Sequence, residues 1–208
     1  MTSVAIIDYR LCNLDSIARA VAECGAEVAV TGDPRTLDSV DRIILPGVGS
    51  FGAAMANLSS AGFDTALREA VIGRGLPLLG ICLGMQLLGQ RGTEHGDHAG
   101  LGLLHGTVVR LDPAGAADPT PARVPHIGWN DVALTKPSPL FEGIADGTDF
   151  YFVHSYCLES PADQTMATVD YCGRTVAAAG RDNIMAVQFH PEKSQAAGFR
   201  LLRNFLAF

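Results

Sequence analysis

The sequence predicts an α/β fold: an open, mostly parallel central sheet with helices on both faces, a nucleophile-elbow turn after a central strand, and a smaller antiparallel strand region. Three observations carry that expectation. Over the first half, short apolar runs rich in β-formers alternate with amphipathic helical periods, the signature of a covered parallel sheet. One charge-free run, Leu76 to Ile81, leads into Gly80-Ile81-Cys82-Leu83-Gly84, a glycine-flanked strand-to-helix turn. The second half is dense in short strand signals. At 208 residues the chain is long enough for one sizeable core, and a single domain over 1–208 is expected.

Val4 to Ile7 reads as the first buried strand, and Asp8 to Asn13 leads into a helix with Leu14, Ile17, Ala18, Val21 and Ala22 on one face and Asn13 as its N-cap. Gly25 ends that helix. Val28 to Val30 is the next strand, Gly32-Asp33-Pro34 turns toward a short helical segment, and Arg42 to Leu45 is the third strand. This βαβαβ order runs into a glycine-rich loop, Pro46-Gly47-Val48-Gly49-Ser50-Phe51-Gly52. The loop lacks the Lys-Ser/Thr ending of a P-loop and the spacing of a dinucleotide fingerprint, and it offers mobile backbone N–H groups. Helical segments follow near Ala53 to Leu58 and Asp64 to Ile72, then the strand that delivers Cys82. Strands are expected at Val132 to Leu134, Phe150 to His154, Met166 to Asp170, Thr175 to Ala178 and Met185 to Phe189, with a loop over Asp112 to Pro125. Gln195 to Leu206 closes the chain as a helix packing Phe199, Leu202, Phe205 and Leu206.

A net charge of −7 without any Lys/Arg cluster argues against sequence-independent nucleic-acid or membrane-surface binding. Five cysteines, an odd number with no Cys-x-x-Cys pair, fit free thiols in a reducing compartment. The N-terminus enters a strand directly with no signal-peptide pattern, so a cytoplasmic location is expected. Glu94, His95, Asp97, His98 and His105 match no zinc spacing, so Arg91 to Gly106 reads as a surface loop and no metal or cofactor is expected.

The chemistry centres on Cys82. A thiol over the first turn of a helix faces unpaired N–H groups that lower its pKa and can hold an oxyanion, although a buried cysteine can equally be a small core hydrophobe. A thiolate needs an imidazole, and the imidazole needs an acid to fix its tautomer. His190 is singled out among six histidines because it ends a buried strand, Pro191 stiffens its exit, and Glu192 would project to the same side of an extended segment.

Gly80-Ile-Cys82-Leu-Gly84-Met-Gln86 together with Phe189-His190-Pro-Glu192-Lys193-Ser194 resembles the class I, triad-type glutamine amidotransferases. Leu45-Pro-Gly47-Val48-Gly49-Ser-Phe51, Pro125-His126-Ile-Gly128-Trp129-Asn130 and Tyr151-Phe-Val-His154-Ser155-Tyr156 are similar to the glutaminase subunits of imidazole glycerol phosphate synthase, in histidine biosynthesis. The resemblance runs from first strand to last helix and implies a catalytic Cys82, His190 and Glu192. It further implies an oxyanion hole from Val48, Gly49 and Leu83, and glutamine contacts from Gly47, Gly49, Gln86, Glu94, Ser155 and Tyr156. The implied partner is a (βα)8-barrel cyclase/synthase subunit, met near Asn13, Trp129 and Lys193. That partner would use the ammonia to make imidazole glycerol phosphate and an aminoimidazole carboxamide ribotide. One departure stands out: the family's first loop usually reads Tyr-Gly-x-Gly-Asn-Leu, whereas here it is Tyr9-Arg10-Leu11-Cys12-Asn13-Leu14, which should stiffen it. That version is similar to paralogues supplying ammonia for amidation of bacterial surface sugars. A stand-alone cysteine hydrolase and a non-catalytic binding subunit on the same fold are the remaining alternatives.

Overall fold

The computed structural model describes residues 1–115 and 123–208. Alternating buried residues organise its first half. β1 (Ser3–Ile7) leads to α1 (Leu14–Glu23), β2 (Glu27–Thr31) and, after a 3-10 turn at Pro34–Ser39 capped by Asp33, β3 (Arg42–Leu45). α2 (Phe51–Ser60) and α3 (Phe63–Arg68), the latter continued by a π turn at Glu69–Gly73, precede β4 (Leu78–Ile81) and the short α4 (Leu83–Leu87). Then come β5 (Arg91–Gly92), β6 (His98–Ala99), β7 (Thr107–Arg110), β8 (His126–Leu134), β9 (Thr148–His154) and β10 (Tyr156–Glu159). β11 (Thr165–Tyr171), β12 (Gly173–Arg181), β13 (Ile184–Val187) and α5 (Gln195–Ala207) complete the chain.

The large sheet has the order β2-β1-β3-β4-β13-β12-β11-β8-β9. From β2 to β13 neighbouring strands are parallel, and from β13 to β9 they are antiparallel. The expected mostly parallel sheet is therefore the first half of a larger mixed one. Successive strand residues point to opposite faces. Val4, Ile6, Ile44, Leu79 and Ile81 pack toward α1 and α5, whereas Ala5, Ile7, Ile43, Leu45 and Leu78 pack toward α2, α3 and α4. β10-β7-β5-β6 form a second, mainly antiparallel sheet.

Several expectations need correction. Arg91 to Gly106 is not a plain loop: its two short strands join the second sheet, and β7 and β10 carried too little alternation to be read as strands. β8 starts six residues before Val132, because His126 to Asp131 pairs with Asp149 to His154. α2 begins at Phe51, so Gly52 is helical and the glycine-rich loop ends at Ser50. On α1 it is Ala20, not Ala22, that is buried, and Asn13 occupies the N-cap position without making a side-chain capping bond. The loop expected over Asp112 to Pro125 lies partly outside the described residues. Among the described residues no helix is long and apolar enough to cross a membrane.

Close backbone approach explains the glycines around Cys82. A Cβ on Gly84 would stand 1.7 Å from the Leu45 carbonyl oxygen, and one on Gly80 would stand 2.8 Å from Leu88 and 3.0 Å from the Gly84 oxygen. Gly102, with φ +64° and open space around it, has only a conformational reason to be glycine. Gly84→Ala is therefore expected to lose more than about 4 kcal/mol of stability, and Gly102→Ala about 1–2 kcal/mol, in denaturant unfolding.

Candidate active site

β4 lies between β3 and β13, and its end is held by the Cys82 N–H donating to Val187 O at 2.8 Å. Chain direction must reverse into α4 within one residue, so Cys82 takes φ +54° and ψ −112°. For a non-glycine residue this conformation costs on the order of 1–3 kcal/mol and persists only where its surroundings over-determine it. Here the flanking glycines and the strand bond do so. The turn sets the sulfur on the wall of a cavity of about 260 Å³.

His190 borders the same cavity, two residues beyond Gln188, whose N–H still pairs with Ala177 O. The expected extended segment is instead a 3-10 turn, Pro191–Lys193. That turn still folds Glu192 back, with Oε1 2.8 Å from His190 Nδ1 and both side chains buried. Nδ1–H donates to the carboxylate, which leaves Nε2 for the cavity; Nε2 is buried and has no hydrogen-bond partner. Burial opposes charge on the ring, but Cys82 and Glu192 beside it outweigh that and raise the His190 pKa to about 9. Ser194 Oγ donates to His190 O and accepts from Tyr151 N–H, which ties the turn to β9.

The glycine-rich loop crosses the cavity mouth, where Val48, Gly49 and Leu83 all line the wall. Leu83 N–H, at the first position of α4, has no intrahelical acceptor. The Val48 N–H, in contrast, donates to Leu11 O at 2.8 Å, so this expected oxyanion donor is turned toward the first loop. Cys12 Sγ reaches Pro46 O at 3.7 Å, and the Tyr9 hydroxyl, buried and unpartnered, sits against Gly47. The first loop thus grips the glycine-rich loop. Arg10 holds φ +71°, so the backbone keeps a left-handed residue at the position where the resemblance implies glycine, at a strain cost.

Gln86, Glu94, Ser155 and Tyr156 border the cavity, whereas Gly47 lines a small separate crevice with Asn13 and Glu192. Glu94 Oε2 also accepts the Phe51 N–H at 2.7 Å, capping α2 where the glycine-rich loop ends. Lys193 lines the cavity rim, 5.8 Å from the Tyr151 ring, and Trp129 packs edge-on against the same ring. Trp129, Ile127 and Val48 are large apolar side chains left 47%, 60% and 42% exposed, and Asn13 is exposed. A larger groove of about 600 Å³ between α2, α3 and β6 holds none of the candidate catalytic residues.

Three polar residues escaped the sequence reading: Gln188, His154 and His126. The Tyr156 carbonyl can only accept, so His154 Nδ1, 2.9 Å away, carries the hydrogen, and His154 Nε2 accepts from His126 Nδ1 at 3.1 Å. His126 is stacked between Tyr171 and Phe152. Burial first, and then the neighbouring ring, lowers His126 to about 3; burial lowers His154 to about 4 against its bond to Tyr156. Gln188 gave no signal because its partners Gln86 and Cys82 are distant in sequence, and the bond between His126 and His154, both inside the quoted motifs, spans 28 residues.

A family profile described as "Glutamine amidotransferase class-I" matches residues 5–207. The chain is similar to "Imidazole glycerol phosphate synthase subunit HisH 1" of Campylobacter jejuni (strain RM1221), 43% identical over 203 residues and covering 98% of each chain. The HisH subunit of Caulobacter vibrioides is 45% identical over 213 residues, 99% of this chain and 98% of the relative. That of Moorella thermoacetica is 48% identical over 206 residues, 99% of this chain and 94% of the relative. Among solved structures, PurLQS from Thermotoga maritima superposes with a TM-score of 0.76 at 19% identity, covering 100% of this chain and 99% of that one. A putative GMP synthase subunit from Thermoplasma acidophilum gives 0.72 at 22%, covering 100% and 93%. At those identities the likeness shows the fold.

The histidines set a pH dependence with two limbs. His126 and His154 stay neutral in the fold, whereas unfolded histidine takes a proton near 6.5; their stabilisation is complete above that pH and is lost as pH falls toward 4. His190 is the reverse: its contribution is complete below 6.5 and is lost as pH rises toward 9. Thermal midpoints are expected to peak near pH 6.5. His126→Phe, which keeps the stack, should flatten the acid limb, and His190→Gln the alkaline one.

Proposed function

The chain belongs to the class I glutamine amidotransferase family, and on that premise we propose that, as one domain over residues 1–208, it is the glutaminase subunit of an imidazole glycerol phosphate synthase. The observation that carries the reading is the meeting of Cys82, on its strained turn, with His190 and its Glu192 partner at one cavity. The relatives at 43–48% identity favour this acceptor pathway over amidation of surface sugars. The exposed Val48, Ile127 and Trp129 beside the cavity favour a partnered subunit over a stand-alone hydrolase.

The mechanism follows from the protonation pattern. His190, raised to about 9 by Cys82 and Glu192 beside it, holds a proton at neutral pH that it can pass to a leaving group. The Cys82 sulfur attacks the γ-amide carbon of glutamine, forming an S–C bond and moving the carbonyl electron pair onto oxygen. Collapse breaks the C–N bond as His190 Nε2 gives its proton to the departing nitrogen, releasing ammonia and leaving a thioester. Neutral His190 then takes a proton from water, whose oxygen attacks the thioester; glutamate leaves, and the S–C electron pair returns to sulfur. Glu192 keeps the imidazole in the tautomer that aims Nε2 inward. Leu83 N–H and, once turned from Leu11, the Val48 N–H would hold the oxyanion beside Gly49. Gln86, Glu94, Ser155 and Tyr156 would hold the glutamine head group. The ammonia passes to a (βα)8-barrel cyclase subunit docked over Asn13, Trp129 and Lys193.

Cys82→Ala is expected to abolish glutamate formation, with a loss of at least about 10⁴-fold in kcat. Because Val48 N–H is tied to Leu11, glutamate production by the chain alone should be low and should rise by about 100-fold with the cyclase subunit and its nucleotide ligand. Full activity in isolation would overturn this regulated reading. Trp129→Ala should weaken association with that subunit by about 2 kcal/mol, roughly 30-fold in Kd by titration calorimetry, without altering unfolding.

A further inference from the structure

Gln188 lies between the end of β13 and His190 and is fully buried. An amide in that setting must find partners for its polar atoms, and those it finds are informative. Gln86 Nε2 donates to Tyr156 O at 2.7 Å and to Gln188 Oε1 at 3.0 Å. The carbonyl of Tyr156 can only accept, so the orientation of the Gln86 amide is fixed, and Gln188 Oε1 must face it. The other end of the Gln188 amide is thereby aimed at the candidate nucleophile: Nε2 donates to Cys82 Sγ at 3.7 Å. The sulfur's second contact, Val153 O at 3.8 Å, can only accept and so serves the thiol form alone.

We infer that Gln188 is a further catalytic residue of this site, whose side-chain N–H stabilises the Cys82 thiolate while its side-chain oxygen sets the orientation of Gln86 toward the glutamine head group. The inference rests on Cys82 acting as the nucleophile. When the thiolate forms, the contact to Val153 O is lost and the N–H from Gln188 becomes a charge-assisted bond. The same donor serves the last step, in which the S–C bond breaks and sulfur recovers its electron pair: a thioester sulfur is a poor acceptor, a thiolate a good one. Both hydrogens of Gln86 Nε2 are committed to Tyr156 and Gln188, so its oxygen remains as the acceptor this cavity-lining side chain can present to a substrate ammonium. Substrate recognition and sulfur activation hang on one chain of amides, Tyr156 O to Gln86 to Gln188 to Cys82.

Two substitutions separate the halves of this role. Gln188→Met keeps the volume and removes both bonds. Gln188→Glu keeps an acceptor for Gln86 and, when ionised, removes the donor to sulfur. With the cyclase subunit present, Gln188→Met should lower kcat about 10- to 100-fold and raise KM for glutamine, while Gln188→Glu lowers kcat with KM near the parental value. The ratio of iodoacetamide alkylation of Cys82 at pH 6 to that at pH 9 should fall about tenfold in Gln188→Met. The titratable groups around the sulfur, His190, His154, Tyr9, Tyr156, Lys193, Glu94 and Glu192, are unchanged in these variants, but Gln188→Glu adds a carboxylate beside it, so the alkylation test rests on Gln188→Met. On the unsubstituted chain, the Gln188 side-chain amide protons should exchange slowly and shift when Cys82 is alkylated. Folded variants with parental kcat, KM and alkylation ratio would overturn the inference, as would Gln188 amide resonances indifferent to alkylation. Failure of the underlying reading is distinct: there, Cys82→Ala itself would retain glutamate formation.

Discussion

The first turn of α4 lies against β3 so closely that the Leu45 carbonyl and the Gly84 α-carbon leave no room for a side chain. Everything at the site is measured from this contact. It fixes where the chain leaves β4, so Cys82 must absorb the reversal in a left-handed conformation, and it anchors the same β3 end from which the glycine-rich loop departs. The sulfur and the loop therefore share one rigid reference point. A site that must hold a sulfur, an imidazole and backbone donors to within about half an ångström of their productive positions gains from such an anchor.

On the opposite side, β13 and the turn after it bring His190, Glu192 and Gln188 to the same point. β13 is parallel to β4 and directly beside it, so the residues just past their ends face each other across the shortest distance the sheet allows. The antiparallel half of the sheet adds β9, whose Tyr151 and Val153 carbonyls meet His190 N–H and Cys82 Sγ. Behind β9 the neutral His126–His154 pair fixes the Tyr156 carbonyl, the same acceptor that orients Gln86. The polar interior of this half is thus one connected network, each member of which depends on its neighbours for satisfaction.

What could be read from the chain alone followed the range of the interactions. Gly80, Cys82 and Gly84 announce a turn because their constraint is local, and His190 with Glu192 is a pair two residues apart, found even though the segment between them curls into a 3-10 turn instead of extending. The first strands were readable because buried parallel strands are nearly pure apolar runs. β5, β6, β7 and β10 were not, since strands of two to four residues alternate too briefly to show a period. β8 was truncated because Gly128 and Asn130 interrupt the apolar alternation that marks a strand, and only its pairing with β9 extends it to His126. Gln188 and the two histidines were missed because glutamine and histidine announce nothing without their partners, which lie 102, 106 and 28 residues away. The glycine-rich loop after β3 was legible as a loop, but the direction of its N–H groups is a matter of a single peptide plane that composition does not reveal.

That single plane bears on how sharply such a protein can be silenced. A neutral backbone bond such as Val48 N–H to Leu11 O contributes on the order of 0.5–1.5 kcal/mol, and 1.4 kcal/mol is a tenfold change in population. One bond of this kind would leave about a tenth of the molecules or more with the peptide turned inward, a leak that would waste glutamine continuously. If the Val48 peptide is the oxyanion donor, deeper silence would require the Cys12 and Tyr9 contacts to act with it, and the first loop, not the nucleophile, would then set how much glutamine is consumed when no acceptor is waiting. Evolution could retune that leak by exchanging residues 9 to 12 while leaving the chemistry at Cys82 untouched.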